Sequence, residues 1–236
     1  MSKNRVEAVE RALTLLECFT QERRTLSLTE LAEATGMYKS TVLRLAGSLE
    51  RFHFLIRRDD GRFAIGQAVW RLGLLYRNSF ELESLVRPIL AELVQHTGET
   101  ASFYVKEGHA RVVLYRENST RAARHHLDEG VSLPLDSGAS GHILRAYSDM
   151  ATAELAAVRE QGFAVSLGER DPDLAAIAVP VFGKGQALQG ALTVSGIITR
   201  FTEPDREKIL TELKLAAQKL HKQLLKTARH DGDART

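Results

Sequence analysis

Apolar residues recur at helical spacing from the start of the chain: Val6, Val9, Leu13, Leu16 and Phe19 predict a first amphipathic helix. "SLTE" then sets Ser27 as an N-cap with Glu30 three residues on, a capping box. It opens a short helix through Leu31 and Ala32 that stops near Gly36. A third helix is predicted from Lys39 to about Phe52, with Val42, Leu45, Leu49 and Phe52 on its inner face. The period then changes to two. "FLIRR" and "RFAIG", joined by "DDG", read as a β-hairpin. Helices followed by such a hairpin make the winged variant of a helix-turn-helix unit. "QAVWRLGLLYRNS" returns to helical spacing, with Val69, Leu72 and Tyr76 on one face, and predicts a connecting helix.

From Leu82 the pattern belongs to a second unit. A helix carrying Leu85, Val86, Ile89, Leu90 and Leu93 ends before Gly98. Strand-like runs follow: "TASFYVK", "ARVVLYRE", "GFAVSL", "LAAIAVPVFG" and "LQGALTVSG". Helices are expected between Gly141 and Gln161, and a last one from roughly Glu203 to Lys226. The class is α+β, an antiparallel sheet flanked by helices. The expected boundaries are 1–66 for the winged unit, 67–81 for the connecting helix, 82–228 for the sheet unit and 229–236 for a charged, fraying tail.

Charge sharpens this division. Residues 1–80 carry 13 Lys/Arg against 9 Asp/Glu, and the remainder 19 against 21, so the positive excess sits in the winged unit and points to a polyanion. No stretch reaches the roughly 18 uninterrupted apolar residues of a membrane span. The opening "MSKNRVEAVERALTLL" carries glutamates and resembles no secretion signal, so a cytoplasmic protein is expected. Cys18 has no partner for a disulfide and is expected to pack as a small apolar side chain.

Stepping roughly 100° per residue from Val42, Leu45 and Leu49 puts Ser40, Arg44, Gly47 and Arg51 on the opposite side of the third helix. A recognition helix enters the major groove of double-stranded DNA by its first residues. Lys39, Ser40, Thr41 and Arg44 are therefore the candidates for bases and phosphates, Arg44 having the planar fork that suits guanine and Lys39 being better placed as a phosphate clamp. Arg57, Arg58 and Arg62 on the wing are candidate phosphate clamps.

"RALTLLECF", "LSLTELAEATGMYKSTVLRLAGSL" and "GFAVSLGERDPDLAAIAVPVFGKGQALQGALTVSG" resemble the characteristic segments of IclR-type bacterial transcriptional regulators, in the family's order and spacing, from Arg5 to about Leu224. The resemblance implies a DNA-binding winged helix-turn-helix, a linker helix and a GAF-like domain that binds a small effector. It also implies a homodimer or tetramer acting as repressor or activator. Tyr38 stands where the family commonly has proline, and is expected to contact the DNA backbone instead.

"PLDSGASGHIL", residues 134–144, raises the question of chemistry. The first half of an esterase elbow is met by Gly138-Ala139-Ser140, but His142 occupies the place of the second glycine. No Gly-Lys-Ser/Thr follows, so it is no phosphate loop. Small residues instead allow a ligand close to the backbone, and a helix starting near Gly141 offers free N–H groups to an anion. In "ALTVS", Ala191, Thr193 and Ser195 share one face, a polar floor opposite Leu192 and Val194; solvent exposure would give the same alternation.

The family's effector site maps onto His125, Leu133, Gly138, Ala139, Ser166, Leu174, Ala176, Thr193 and Ser195. That mixture suits a carboxylate-bearing metabolite, an organic or aromatic acid, with His125 assisting if protonated. Asp136 and His142 replace the family's usual histidine and lysine. The alternative is a small-molecule hydrolase with a fused winged helix and Ser140 as nucleophile. The scattered His125, His126 and His142 show no metal-ligand spacing, and neither a catalytic residue nor a cofactor is assigned.

Overall fold

The computed structural model describes residues 5–20, 22–79 and 82–233, which form two compact units, Met1–Phe80 and Glu81–Thr236. In the first, α1 (Glu7–Glu17), β1 (Thr25–Leu26), α2 (Leu28–Thr35) and α3 (Lys39–Arg51) precede β2 (Leu55–Arg57), β3 (Phe63–Ile65) and α4 (Gln67–Ser79). The capping box forms as expected: Ser27 Oγ accepts from Glu30 N at 3.2 Å, and Glu30 Oε2 accepts from Ser27 N at 2.6 Å. Gly36 takes the left-handed conformation, φ 67°, and so ends α2 and turns the chain into α3. Leu15, Leu31, Val42 and Phe63 fill the centre of this unit, and Cys18 packs beside them. The wing is a three-stranded antiparallel sheet in the order β1-β3-β2.

Two apolar faces differ from the pattern. Phe52 follows the last turn of α3 and is exposed, while Ala46 lies in the core. On α1 the buried residue is Leu15, with Cys18 buried just past its end, whereas Val6 at its start, Val9 and Leu13 are 62%, 54% and 53% exposed. This helix has a second apolar stripe, directed away from its own core.

The second unit runs α5 (Leu82–Thr97), β4 (Thr100–Glu107), β5 (Ala110–Glu117), β6 (Ser132–Pro134), α6 (Ala139–Ala146), α7 (Ala156–Gln161), β7 (Ala164–Leu167), β8 (Leu174–Phe182), β9 (Leu188–Ile197) and α8 (Glu203–Asp233). The six strands form one antiparallel sheet ordered β6-β5-β4-β9-β8-β7. One face packs on α5 and α8 through Val86, Leu90, Phe103, Leu192, Val194 and Leu213. The other face meets α6 through Tyr104, Val113, Ile143 and Ala191. Helix α8 continues to Asp233, into the segment expected to fray; residues 234–236 of that tail lie outside the described residues, as do residues 1–4.

A bulge between Phe103 and Tyr104 sets which side chains of β5 face α6. Ser102 pairs with Arg116 and Tyr104 with Val113, so one extra residue, Leu114, is accommodated on β5. Arg111, Val113 and Arg116 therefore all face α6. Strict alternation would have sent Arg116 to the opposite side. Among the described residues no helix is long and apolar enough to cross a membrane.

Candidate functional site

The start of α3 is open. Tyr38 is 85% exposed, and Lys39, Ser40, Arg44, Gly47 and Arg51 are exposed with it; Thr41 is half-buried. Arg57 and Arg58 on the wing are exposed, the Arg57 guanidinium lying 5.3 Å from the centre of the Phe63 ring. Arg62 is engaged otherwise. Its Nη2 donates to Glu30 Oε2 at 2.8 Å and to the Thr25 carbonyl at 3.0 Å, and its Nε to Thr25 Oγ1 at 3.3 Å. With Ser27, it holds the Glu30 carboxyl down at about 2. Arg62 thus ties the wing to α2, an engagement its place in the sequence did not reveal.

In the second unit a pocket open to solvent lies between the glycine loop and the α6 face of the sheet. Eight of the nine residues matched to an effector site line it: His125, Gly138, Ala139, Ser166, Leu174, Ala176, Thr193 and Ser195. Leu133 instead packs with the apolar cluster under α6. Ser140 of the glycine loop lines the pocket too, together with Tyr104, Arg111, Arg170, Asp171 and Ala175, which the sequence reading did not assign to a site. Ser166, Thr193 and Ser195 are all more than nine-tenths buried, so their alternation does not arise from solvent exposure. Thr193 Oγ1 has no hydrogen-bond partner. A buried hydroxyl without a partner is costly unless a ligand or water completes it.

Glycine shapes the roof. Gly138 holds φ 79° and ψ 152°, a region essentially closed to other residues, and serves as the N-cap of α6. Its N–H donates to Glu169 Oε2 at 2.8 Å, and His142 Nε2 lies 2.8 Å from the same oxygen. Burial pushes the Glu169 carboxyl up, but these contacts outweigh it and leave it below its ordinary value. Beneath the loop, Arg111 Nη1 donates to the carbonyls of Pro134 and Ser137.

His125 sits at the other side. Its Nδ1 lies 3.2 Å from Ser195 Oγ and its Nε2 2.7 Å from Arg170 Nη2. A guanidinium only donates, so Nε2 accepts and Nδ1 carries the proton. Burial, with Arg116 and Arg170 nearby, lowers the His125 pKa to about 3. The expected role of a protonated His125 is therefore replaced by a neutral ring. The unfolded chain takes up this proton near pH 6.5 and the folded chain only near pH 3, so the stabilisation is complete above 6.5 and is lost as pH falls between them. The stability advantage of the wild type over His125→Asn should shrink steadily from pH 7 to pH 4.5 in chemical denaturation; a constant difference would show that the ring titrates normally.

Profiles of two protein families match the chain: the IclR helix-turn-helix domain over residues 8–59, and the bacterial transcriptional regulator IclR C-terminal domain over 75–154 and 148–222. The regulator KipR of Bacillus subtilis is 25% identical over 235 residues, covering 89% of this chain and 93% of its own. The transcriptional repressor IclR of Escherichia coli is 25% identical over 226 residues, covering 84% and 82%. Among solved structures, an IclR-type regulator from Silicibacter sp. has a TM-score of 0.84 at 30% identity, covering 92% of this chain and 96% of its own. An IclR homologue from Microbacterium hydrocarbonoxydans, complexed with 4-hydroxybenzoate, has a TM-score of 0.77 at 20% identity, covering 92% and 99%. Winged helix, six-stranded antiparallel sheet and matched profiles agree, and the chain belongs to the IclR family of DNA-binding bacterial transcriptional regulators.

Proposed function

We propose that this protein binds a two-fold operator as a homodimer and that a small acid in the pocket of its second unit modulates that binding. Residues 1–66 read the DNA, 67–81 connect, and 82–228 sense the effector. The observation that carries the reading is the exposure of the first turns of α3, with Tyr38, Lys39, Ser40 and Arg44 free of the core. Thr41 accompanies them, and Arg57 and Arg58 are the wing's phosphate contacts. The dimer is supported by apolar surface on the first unit: the Val6, Val9 and Leu13 stripe of α1, and Trp70, Leu72 and Leu75 on α4, which are 68%, 46% and 59% exposed.

A sensing role suits the pocket better than hydrolysis. Ser140 lies in it, but among the described residues neither histidine is hydrogen-bonded to its hydroxyl: His142 Nε2 meets Glu169 and His125 Nδ1 meets Ser195. The His125–Ser195 pair has an arginine, not a carboxylate, on the second ring nitrogen, which removes the basicity a nucleophile needs. That the Microbacterium homologue holds 4-hydroxybenzoate supports a carboxylate effector here.

The test is salt-dependent binding to DNA upstream of the protein's own gene. Arg44→Ala should weaken binding to its cognate site by roughly 10- to 100-fold, the ~1–3 kcal/mol of a bidentate base contact. Arg58→Ala should lower the slope of log affinity against log salt by about 0.9, one phosphate's worth. Binding unchanged in both would remove the α3 face and wing from the DNA.

A further inference from the structure

Buried positive charge is the feature of the pocket that the regulator reading leaves unused. Arg111 and Arg116 are 3% and 6% exposed, and among the described residues neither makes a salt bridge. The Arg116 guanidinium gives its hydrogens to neutral acceptors, Ser102 Oγ, Asn118 Oδ1 and the His125 carbonyl, while its backbone N–H donates to Glu129 Oε1. Arg111 gives Nη1 to two loop carbonyls and lies 5.9 Å from the centre of the Tyr104 ring, while its Nε has no partner. Burial lowers the pKa of both, and Arg170 lowers them further through repulsion. Arg170 lines the mouth with one nitrogen on the neutral His125.

The acids nearby are committed elsewhere. Glu169 holds the Gly138 N–H and His142, and Asp171 accepts from the backbone N–H of Asp173. Asp136 and Asp128 act on Arg111 and Arg116 through space without forming a pair. A buried charge without a counter-charge is expensive, and an anion is what relieves it. The two lining guanidiniums approach from opposite sides. Arg111 comes from β5 beneath Gly138 and Gly141, and Arg170 from the turn after β7; β4, β9 and β8 lie between these strands. Thr193 and Ser195 on β9 form the floor between them, the first with its unpartnered hydroxyl.

We propose that the effector is a compact acid with a negative charge at each end, one end met by Arg111 under the glycine loop and the other by Arg170 beside Ser195. This rests on the reading of the pocket as the effector site. A dicarboxylate and a short phosphate monoester share that chemistry, and an acid with a single charge leaves one guanidinium unanswered. Charge-assisted contacts of this kind separate ligands that possess the second acid group from those that lack it by tenfold or more.

The experiment is calorimetric titration of the full chain with succinate, malonate, glutarate, glycerol 3-phosphate, butyrate and 4-hydroxybenzoate. At least one two-charge compound should bind tenfold or more tightly than butyrate, and its rank among the dicarboxylates and glycerol 3-phosphate identifies the acid type. Arg170→Gln, at an exposed position that leaves the core intact, should bring that ratio close to one; Arg111→Met should do the same from the other end. Butyrate or 4-hydroxybenzoate binding as tightly as every two-charge compound, or a ratio unaltered in Arg170→Gln, overturns the two-charge proposal and leaves the effector reading standing. Binding of none of the six acids overturns both.

Discussion

Val9→Asp/Leu13→Asp should turn the protein into a species of half the mass and weaken operator binding at least a hundredfold. Both side chains are more than half exposed, so the charges do not enter the core built on Leu15, Leu31 and Val42. They do place two carboxylates on an apolar stripe that the unit's own core leaves uncovered. Buried in a dimer interface, such charges have no counter-charge and split it. A two-fold operator is held by two recognition helices, and losing the connection forfeits an avidity of about 10²–10⁴ without touching a base contact. Light scattering after size-exclusion chromatography measures the mass, and fluorescence anisotropy with a labelled operator fragment measures the affinity. Unfolding is monitored alongside and should change by less than ~1 kcal/mol, as surface substitutions do. A variant that keeps both the mass and the affinity would show that α1 faces solvent in the working protein.

That stripe also illustrates what periodicity can and cannot reveal. Val6, Val9 and Leu13 announce a helix as clearly as core residues do, because the spacing records only that a face is apolar, not what covers it. Signals that are local were readable. Ser27 and Glu30 close their box over four residues, Gly36 supplies a left-handed turn, and the alternation in β9 divides Thr193 and Ser195 from Leu192 and Val194. Signals that depend on pairing across the chain were not. The Arg62 tie to Glu30 spans 32 residues and converts a wing cation into a structural clamp. Strand β6 is only three residues long, too short for any alternation to show. The bulge on β5 acts behind the pocket: it rotates Arg116 onto the same face as Arg111, where it holds the His125 carbonyl, and no property of "ARVVLYRE" alone marks Leu114 as the extra residue. The hydroxyls of the candidate site were legible; its guanidiniums, Arg111 on β5 and Arg170 after β7, come together only through the sheet order. The charge of the pocket had to come from the fold.

Gly141→Ala should lower the melting temperature by roughly 2–12 °C and abolish the response to acids. A β-carbon at this position would stand 2.4 Å from Arg111 Nη1, 2.5 Å from the Leu135 carbonyl oxygen and 3.1 Å from its carbon. The first contact is with a guanidinium already fixed by the Pro134 and Ser137 carbonyls, and the second is with backbone, so neither neighbour can retreat cheaply. Overpacking of this kind costs about 1–3 kcal/mol, and each kcal/mol shifts the melting point of a chain this size by roughly 2–4 °C. The change separates stability from function because the displaced group is Arg111 itself, the cation beneath the loop. Gly73→Ala supplies the comparison: it lies inside α4 with nothing within 4 Å of the added carbon. There alanine should stabilise by roughly 0.5–1 kcal/mol through helix propensity alone. If Gly141→Ala melts and binds acids like the wild type, then the loop yields to a methyl group, and the tight seat it gives Arg111 is not what shapes the pocket.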